Sequence, residues 1–394
     1  MEFRKALRCC SAAGPMKRYE LRRIFLDRGV VGNPVATDIV GRAEGIPVTE
    51  VNGVREATRV LSSFDDPIGE GKQSLLITRQ KGEFVKPCPG TRYRICCRYH
   101  IINLAVNCPI DCSYCILQGY LNNHAITVHV NIDELLAQVD EKLSRNPGRI
   151  FRLGTGELGD SLAFDEMTRF SATMVPFFSE KENGILELKT KTDEVGTMMD
   201  LDHGGKTVVS WSLNPERVVE AEELYASTLA ERLNAARECQ LKGYPIGLHF
   251  DPIIYYPEWK RDYSEMIEKV FERIDGKGVI WVSLGGFRFP PSLKPIIRDR
   301  FPASNILCAE LFPGDDGKFR YFKPLRVEMY REMVRWLRDC EPSLFIYLCM
   351  ESREVWEKVF GWSPGDNSAL DELFAQRVRS FPLTGPWADR KRIL

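Results

Sequence analysis

Three cysteines stand close together at Cys108, Cys112 and Cys115, in the run NCPIDCSYCILQGYLN. Thiolates are the ligands that iron–sulfur clusters prefer. The C-x3-C-x2-C spacing on one loop lets three sulfurs ligate three irons of a [4Fe–4S] cube and leaves the fourth iron open. Zinc is the alternative, but it usually takes a fourth protein ligand and often paired C-x2-C knuckles. Tyr114 inside the motif and the strand-like residues before it favour the cluster.

An open iron can chelate the amino and carboxylate groups of S-adenosylmethionine and set its sulfonium beside the cluster. One electron then cleaves the cofactor to methionine and a 5′-deoxyadenosyl radical. The hard chemistry belongs to the cofactor, and the protein's task is positioning.

Cys88, Cys96 and Cys97, in KPCPGTRYRICCRYH, form a second group. Three readings stand side by side: a second metal centre, a hydrogen-atom donor, or buried free thiols. Arg92, Arg94 and Arg98 interleave with Tyr93 and Tyr99. Arg288 ends a strand-like run, and Lys318, Arg320, Lys323 and Arg326 surround Tyr321 and Phe322. Arginine among aromatics suits phosphate contact with base stacking; an ordinary solvated face is the plainer reading. His249 and Asp251 are candidates for substrate or proton transfer, against a satisfied core histidine.

These residues need a scaffold, and the chain supplies alternating strand-like and helix-like stretches. HIINLAVN, RIFRLGTGE, ILELKTKTD, KTVVSWSLN, PIGLHFDPII and VIWVSLGGFRF predict six strands. Helices are expected between them, among them NIDELLAQVDEKLSRN with Asn131 as N-cap, AFDEMTRFSATMVPFF, LAERLNAARECQLKG capped by Gly243, and SEMIEKVFERID. The expected fold is α/β: a partial (β/α)6 TIM-like barrel over residues 100–302, with ligands at the C-terminal ends of the strands. RRIFLDRGVV, GIPVTEV and SLLITRQ predict a small N-terminal α/β domain over 1–99. Residues 303–394 form an α/β extension, with two helices around the strand-like SLFIYLC, expected to pack across the barrel.

The 394 residues allow a large core, and a net charge of −1 gives no whole-protein argument for nucleic acid, leaving only a local basic groove. No apolar run is long enough to span a bilayer. The opening residues MEFRKALRCCSAAGPMKRYELRR lack the apolar stretch of a signal peptide. Twelve cysteines without an export signal predict a reducing cytoplasm and metal or redox chemistry. Met16 is a second candidate start, making 1–15, with Cys9 and Cys10, an extension.

At the cysteine loop the chain resembles radical S-adenosylmethionine proteins, and more narrowly the spore photoproduct lyase family of DNA-repair enzymes. The similar stretches are NCPIDCSYCILQGYLN, VNIDELL, LELKTKTDEV, VVSWSLN and KGYPIGLHFDPII, with IFLDRGVVGNPVATDIVGR and IPVTEV in the leading domain. The resemblance implies a radical SAM barrel and a lyase that binds a [4Fe–4S] cluster on Cys108, Cys112 and Cys115. It places Gly154-Thr155-Gly156-Glu157 at the cofactor's amino group, Lys191 at its carboxylate, and Ser212 and Asn214 at its ribose. It implies a thymine dimer in DNA as substrate, for which the arginine and aromatic residues Arg288, Arg98 and Tyr99 are the candidate contacts, and flavodoxin or ferredoxin is the expected electron donor. A monomer with no membrane association is expected.

One departure stands out. The family has a hydrogen-donating cysteine just past the second strand, where Glu157 or a neighbour falls here, and Ile116 replaces a family tyrosine after Cys115. Hydrogen then returns directly from 5′-deoxyadenosine, through Tyr114, or from Cys96 or Cys97, as the candidate routes. Another substrate (RNA base, peptide or small molecule) is the alternative, and a non-catalytic iron–sulfur protein a second.

Overall fold

The computed structural model describes residues 19–382; the extension at 1–15 lies outside them. Its centre is an eight-stranded curled sheet, a half-barrel. In spatial order the strands are Ile346–Leu348, Val279–Gly286, Ile246–Ile253, Thr207–Ser212, Gly184–Thr190, Phe151–Gly154, His100–Ile102 and Val85–Pro87. Every neighbouring pair is parallel except the last. All six expected barrel strands are present. Ile346–Leu348 from the tail adds a seventh parallel strand, and Val85–Pro87 an antiparallel edge. Thr207–Ser212 and Val279–Gly286 are buried along their whole length, as parallel strands covered on both faces must be.

A second, five-stranded sheet takes Val48–Val51, Arg23–Asp27 and Ser74–Thr78 from the leading segment, then Ile126–His129 and Ala105–Val106. HIINLAVN is therefore two strands in different sheets, turning at Asn103-Leu104. The eight-stranded sheet crosses both boundaries expected near residues 100 and 302, and the five-stranded sheet crosses the first. Side-chain alternation divides this second sheet. Ile24, Leu75, Ile77, Ile126 and Val128 face the main core. Phe25, Leu76 and Ala125 face a small outer cluster with Ala57 and Leu61 of the helix Val54–Leu61.

The expected helices form, with adjustments. Ile132–Ser144 starts after Asn131, whose amide instead exchanges hydrogen bonds with the Gln80 backbone. AFDEMTRFSATMVPFF breaks into Asp165–Thr168 and Phe170–Ser179, because Arg169 is left-handed and the Asp165 carboxylate accepts from the Ser171 N–H. Leu229–Leu241 carries a Thr228–Glu231 capping box and stops before Gly243, whose φ is +88°. Trp259–Arg273 begins five residues ahead of SEMIEKVFERID. Leu293–Arg300 and Asn367–Ser380 are helices the sequence reading missed. Among the described residues no helix is long and apolar enough to cross a membrane.

Candidate active site

Parallel strands bring all their C-terminal ends to one edge, and a cavity of about 730 Å³ opens there. Cys108, Cys112 and Cys115 line it together with Tyr114, Gly156, Glu157, Lys191 and Ser212.

The cysteine loop is fastened from below by two cations. Lys72, almost fully buried, donates to Asn107 Oδ1 at 2.7 Å and to the Cys108 and Ile110 carbonyls at 3.0 Å. Burial opposes its charge, but the surrounding Cys108, Cys115 and Cys112 sulfurs and Asp111 outweigh that and raise its pKa. Arg300 grips Asp111 inside the motif with two bonds, of 2.9 and 2.8 Å. Asn107 takes a left-handed φ of 67°, donates to the His124 carbonyl and receives Lys72. Its N–H bonds the Leu158 carbonyl at 2.6 Å, tying the cysteine loop to the Gly154–Gly159 turn. Burial pushes the Cys108 thiol up to about 11 and Cys112 well above the ordinary thiol range. One buried and two half-buried thiols beside two cations fit a metal cluster, which would supply the charge that deprotonates them.

Past the second strand, Asp160 organises the turn. Its carboxylate accepts the backbone N–H groups of Leu162, Ala163 and Lys191 and the Thr190 hydroxyl. Gly156 is required here: a Cβ would sit 2.7 Å from Lys189 Cβ. Gly154 lies beneath the Tyr99 hydroxyl, outside the cavity lining. Glu157 lines the cavity and pairs with Lys189 at 3.1 Å.

Lys191 reaches in from the third strand's end, donating to Ser212 Oγ at 2.7 Å and Glu223 Oε1 at 2.9 Å. Glu223 is fully buried and also receives Arg232 at 2.6 Å, Asn214 at 2.9 Å and the Tyr114 hydroxyl. Burial would raise its pKa; Lys191 and Arg232 reverse that and hold it well below the usual carboxylate range. Asn214 is fully buried with both amide atoms occupied, by Glu223 and Tyr263, and does not line the cavity.

The cavity floor holds another buried anion. Glu187 Oε1 accepts from Ser210 Oγ at 2.6 Å, His249 Nε2 at 2.9 Å and Trp281 Nε1 at 3.0 Å, spanning four adjacent strands. Burial raises its pKa, but His249, Ser210 and Lys189 prevail and hold it at about 2. His249 is thus engaged with Glu187, and Asp251 with Arg288.

The basic residues separate into two sets. Arg92, Arg98, Arg288 and Lys318 line the cavity, as does Tyr99. Arg94, Arg320, Lys323 and Arg326 are taken by Asp315, Asp316, Glu354 and Glu351. Tyr93 and Phe322 are exposed away from it. Sequence reasoning missed Lys72, Glu187, Lys189, Glu223 and Cys349. Only Glu187 and Lys189 carried a signal, as charges alternating with leucines in an otherwise apolar strand.

The family model for spore photoproduct lyase matches residues 84–318. The spore photoproduct lyase of Clostridium acetobutylicum is 22% identical over 322 residues, covering 77% of this chain and 89% of that protein. That of Bacillus subtilis is 28% identical over 225 residues, covering 56% and 64%. A solved spore photoproduct lyase complexed with dinucleoside spore photoproduct superposes with a TM-score of 0.73 at 22% identity, over 84% of this chain and all of that one. A variant with bound AdoMet and the same dinucleoside gives 0.73 over the same share.

Proposed function

Because the chain belongs to the spore photoproduct lyase family, we propose that it is a radical S-adenosylmethionine lyase that repairs the spore photoproduct, a thymine dimer, in DNA. The observation that carries this is the convergence of Cys108, Cys112 and Cys115 with Gly156, Lys191 and Ser212 on one cavity. A [4Fe–4S] cluster on the three cysteines, with S-adenosylmethionine, supplies one-electron cleavage to a 5′-deoxyadenosyl radical.

The chain's own residues then have definite tasks. Lys191 offers an ammonium to the cofactor carboxylate while Glu223 and Ser212 fix its position. Gly156 keeps the turn low enough for backbone approach, with Glu157 toward the amino group. Ser212 lines the cavity and, while its oxygen accepts from Lys191, can turn its hydroxyl hydrogen to the ribose, whereas Asn214 acts by holding Glu223. Arg288, Arg98 and Tyr99 offer phosphate contact and an aromatic face to a lesion extruded from the duplex. Tyr114 lines the cavity wall and gives its phenolic hydrogen to the buried Glu223. A small flavodoxin or ferredoxin is the fitting electron donor.

The test is anaerobic reconstitution, then incubation with S-adenosylmethionine, reductant and lesion-bearing dinucleotide. We expect 5′-deoxyadenosine together with two thymines; 5′-deoxyadenosine with the lesion intact would remove the repair reading. A second reading, radical chemistry on another substrate, is favoured by the Glu157–Lys189 pair, which stands where the resemblance places a donor cysteine.

A further inference from the structure

Four thiols besides the loop cysteines face the same cavity: Cys88, Cys96, Cys97 and Cys349. They come from the two opposite edges of the eight-stranded sheet. Cys88 follows the edge strand Val85–Pro87, and Cys349 follows the other edge strand, Ile346–Leu348. Cys96 and Cys97 lie on the segment between Val85–Pro87 and His100–Ile102, which meets the other edge where Ile95 bridges to Glu351 and its N–H bonds the Glu351 carbonyl at 2.9 Å. The curl of the sheet thus brings its edges together at a seam lined with sulfur. Cys97 stands within electrostatic reach of Cys88, Cys96 and Cys349.

Three of the four sulfurs have a hydrogen-bond donor beside them. The Gly90 N–H points at the Cys88 sulfur and the Thr91 N–H at the Cys96 sulfur. Arg288 Nη2 lies 3.6 Å from Cys349 Sγ. Gly90 is left-handed, with φ of 60°, and a Cβ there would come within 3.0 Å of Cys96 Sγ. A hydrogen-atom donor must keep its S–H and gains nothing from such donors; a metal-bound sulfur gains from each. Among the described residues no three His, Cys, Asp or Glu converge on a single ion. That holds equally for Cys108, Cys112 and Cys115, and a multi-iron cluster spaces its thiolates farther apart than one ion does.

We propose that Cys88, Cys96, Cys97 and Cys349 ligate a second iron–sulfur cluster at the seam of the half-barrel. Assembly of a [4Fe–4S] cube in its ordinary 2+ state from two ferrous ions, two ferric ions and four sulfides releases the four thiol protons to solvent and needs no net change of oxidation state. The inference stands apart from the repair reading, since it concerns metal content alone.

The test is anaerobic reconstitution of the full chain with equal amounts of ferrous and ferric iron and with sulfide. The wild type is expected to hold about eight irons and eight sulfides, two cubanes. The Cys108→Ala/Cys112→Ala/Cys115→Ala variant should keep about four, with a reducible signal in electron paramagnetic resonance. The Cys88→Ala/Cys96→Ala/Cys97→Ala/Cys349→Ala variant should also keep about four, and these should still respond to S-adenosylmethionine. About four irons in the wild type and none in the first variant would overturn the proposal, as would one tight zinc per chain with no iron and sulfide uptake. Should the fourfold variant misfold by circular dichroism, the wild-type iron count and its Mössbauer spectrum decide between the same two outcomes.

Discussion

Lys191 Nζ lies 2.9 Å from Glu223 Oε1, at the end of a strand that opens into the cavity. An inward lysine demands an anion, and the chain provides one of its own. Glu223 also holds the fully buried Arg232 at 2.6 Å, so its charge stays compensated when Lys191 turns to a ligand. Lys191→Ala should therefore leave the fold and the loop cluster intact and weaken S-adenosylmethionine about tenfold or more, the worth of a charge-assisted contact. Calorimetric titration checks this; unchanged affinity would confine Lys191 to a structural pairing with Glu223.

Replacing Cys108, Cys112 and Cys115 by alanine should remove the cluster that answers to S-adenosylmethionine. The expected readout is loss of about four irons per chain and of any cofactor-induced change in the resonance signal. A retained cofactor response would place the radical generator elsewhere.

Lys72 contributes a buried positive charge beneath the loop. Cations near a cluster favour its reduced, more negative state. Lys72→Met should lower the midpoint potential by about 50 mV or more, the equivalent of roughly a tenfold shift in a one-electron equilibrium. It should also cost about 3 kcal/mol of stability, because Asn107 Oδ1 and two carbonyls lose their donor. A redox titration showing no shift would mean that Lys72 only holds the loop.

The three loop cysteines were legible as a group because thiol spacing on one loop is local information. Lys191 and the glycine turn were legible because each ends a strand with a clear apolar pattern. Glu223 was not: its meaning comes from Arg232, Asn214 and Tyr114, which meet it only after folding. Lys72 is similar, sitting in GEGKQ with no pattern and reaching residues 35 to 38 positions away. Cys349 became part of a group only when the sheet curled its two edges together. The six barrel strands were readable from apolar runs; the split of HIINLAVN between two sheets was not, since its partners are far along the chain.

His100 is buried against the edge of the Phe151 ring, and burial lowers its pKa to about 4. Between about pH 6.5 and 4 the unfolded chain binds this proton and the folded chain does not. The protein therefore keeps the full benefit of a neutral His100 above pH 6.5 and loses it as pH falls toward 4. His100→Phe should remove that loss, gaining on the wild type by up to about 3 kcal/mol across the window. Denaturant melts at several pH values check the slope; parallel curves for the two proteins would mean that His100 charges freely in the fold.

Glu187 depends on a glycine it does not touch. A Cβ at Gly247 would come 2.1 Å from Ser210 Oγ and 2.8 Å from Trp281 Nε1, two of the three donors to Glu187. Any side chain there must push at least one donor away and leave a buried carboxylate short of hydrogen bonds, at about 1–3 kcal/mol for each group unsatisfied. Gly247→Ala should thus lower stability by about 3 kcal/mol. It should also loosen His249, which shares the same carboxylate. Gly41 is the internal comparison: it lies in the exposed face of the helix Pro34–Arg42 with nothing within 4 Å of a Cβ. Gly41→Ala should raise stability by about 0.5–1 kcal/mol, because alanine gives up less backbone freedom on folding. Opposite signs for the two substitutions in urea melts are expected. If Gly247→Ala proved neutral, the Ser210 and Trp281 donors would be dispensable, and Glu187 would owe its charge to His249 and Lys189 alone.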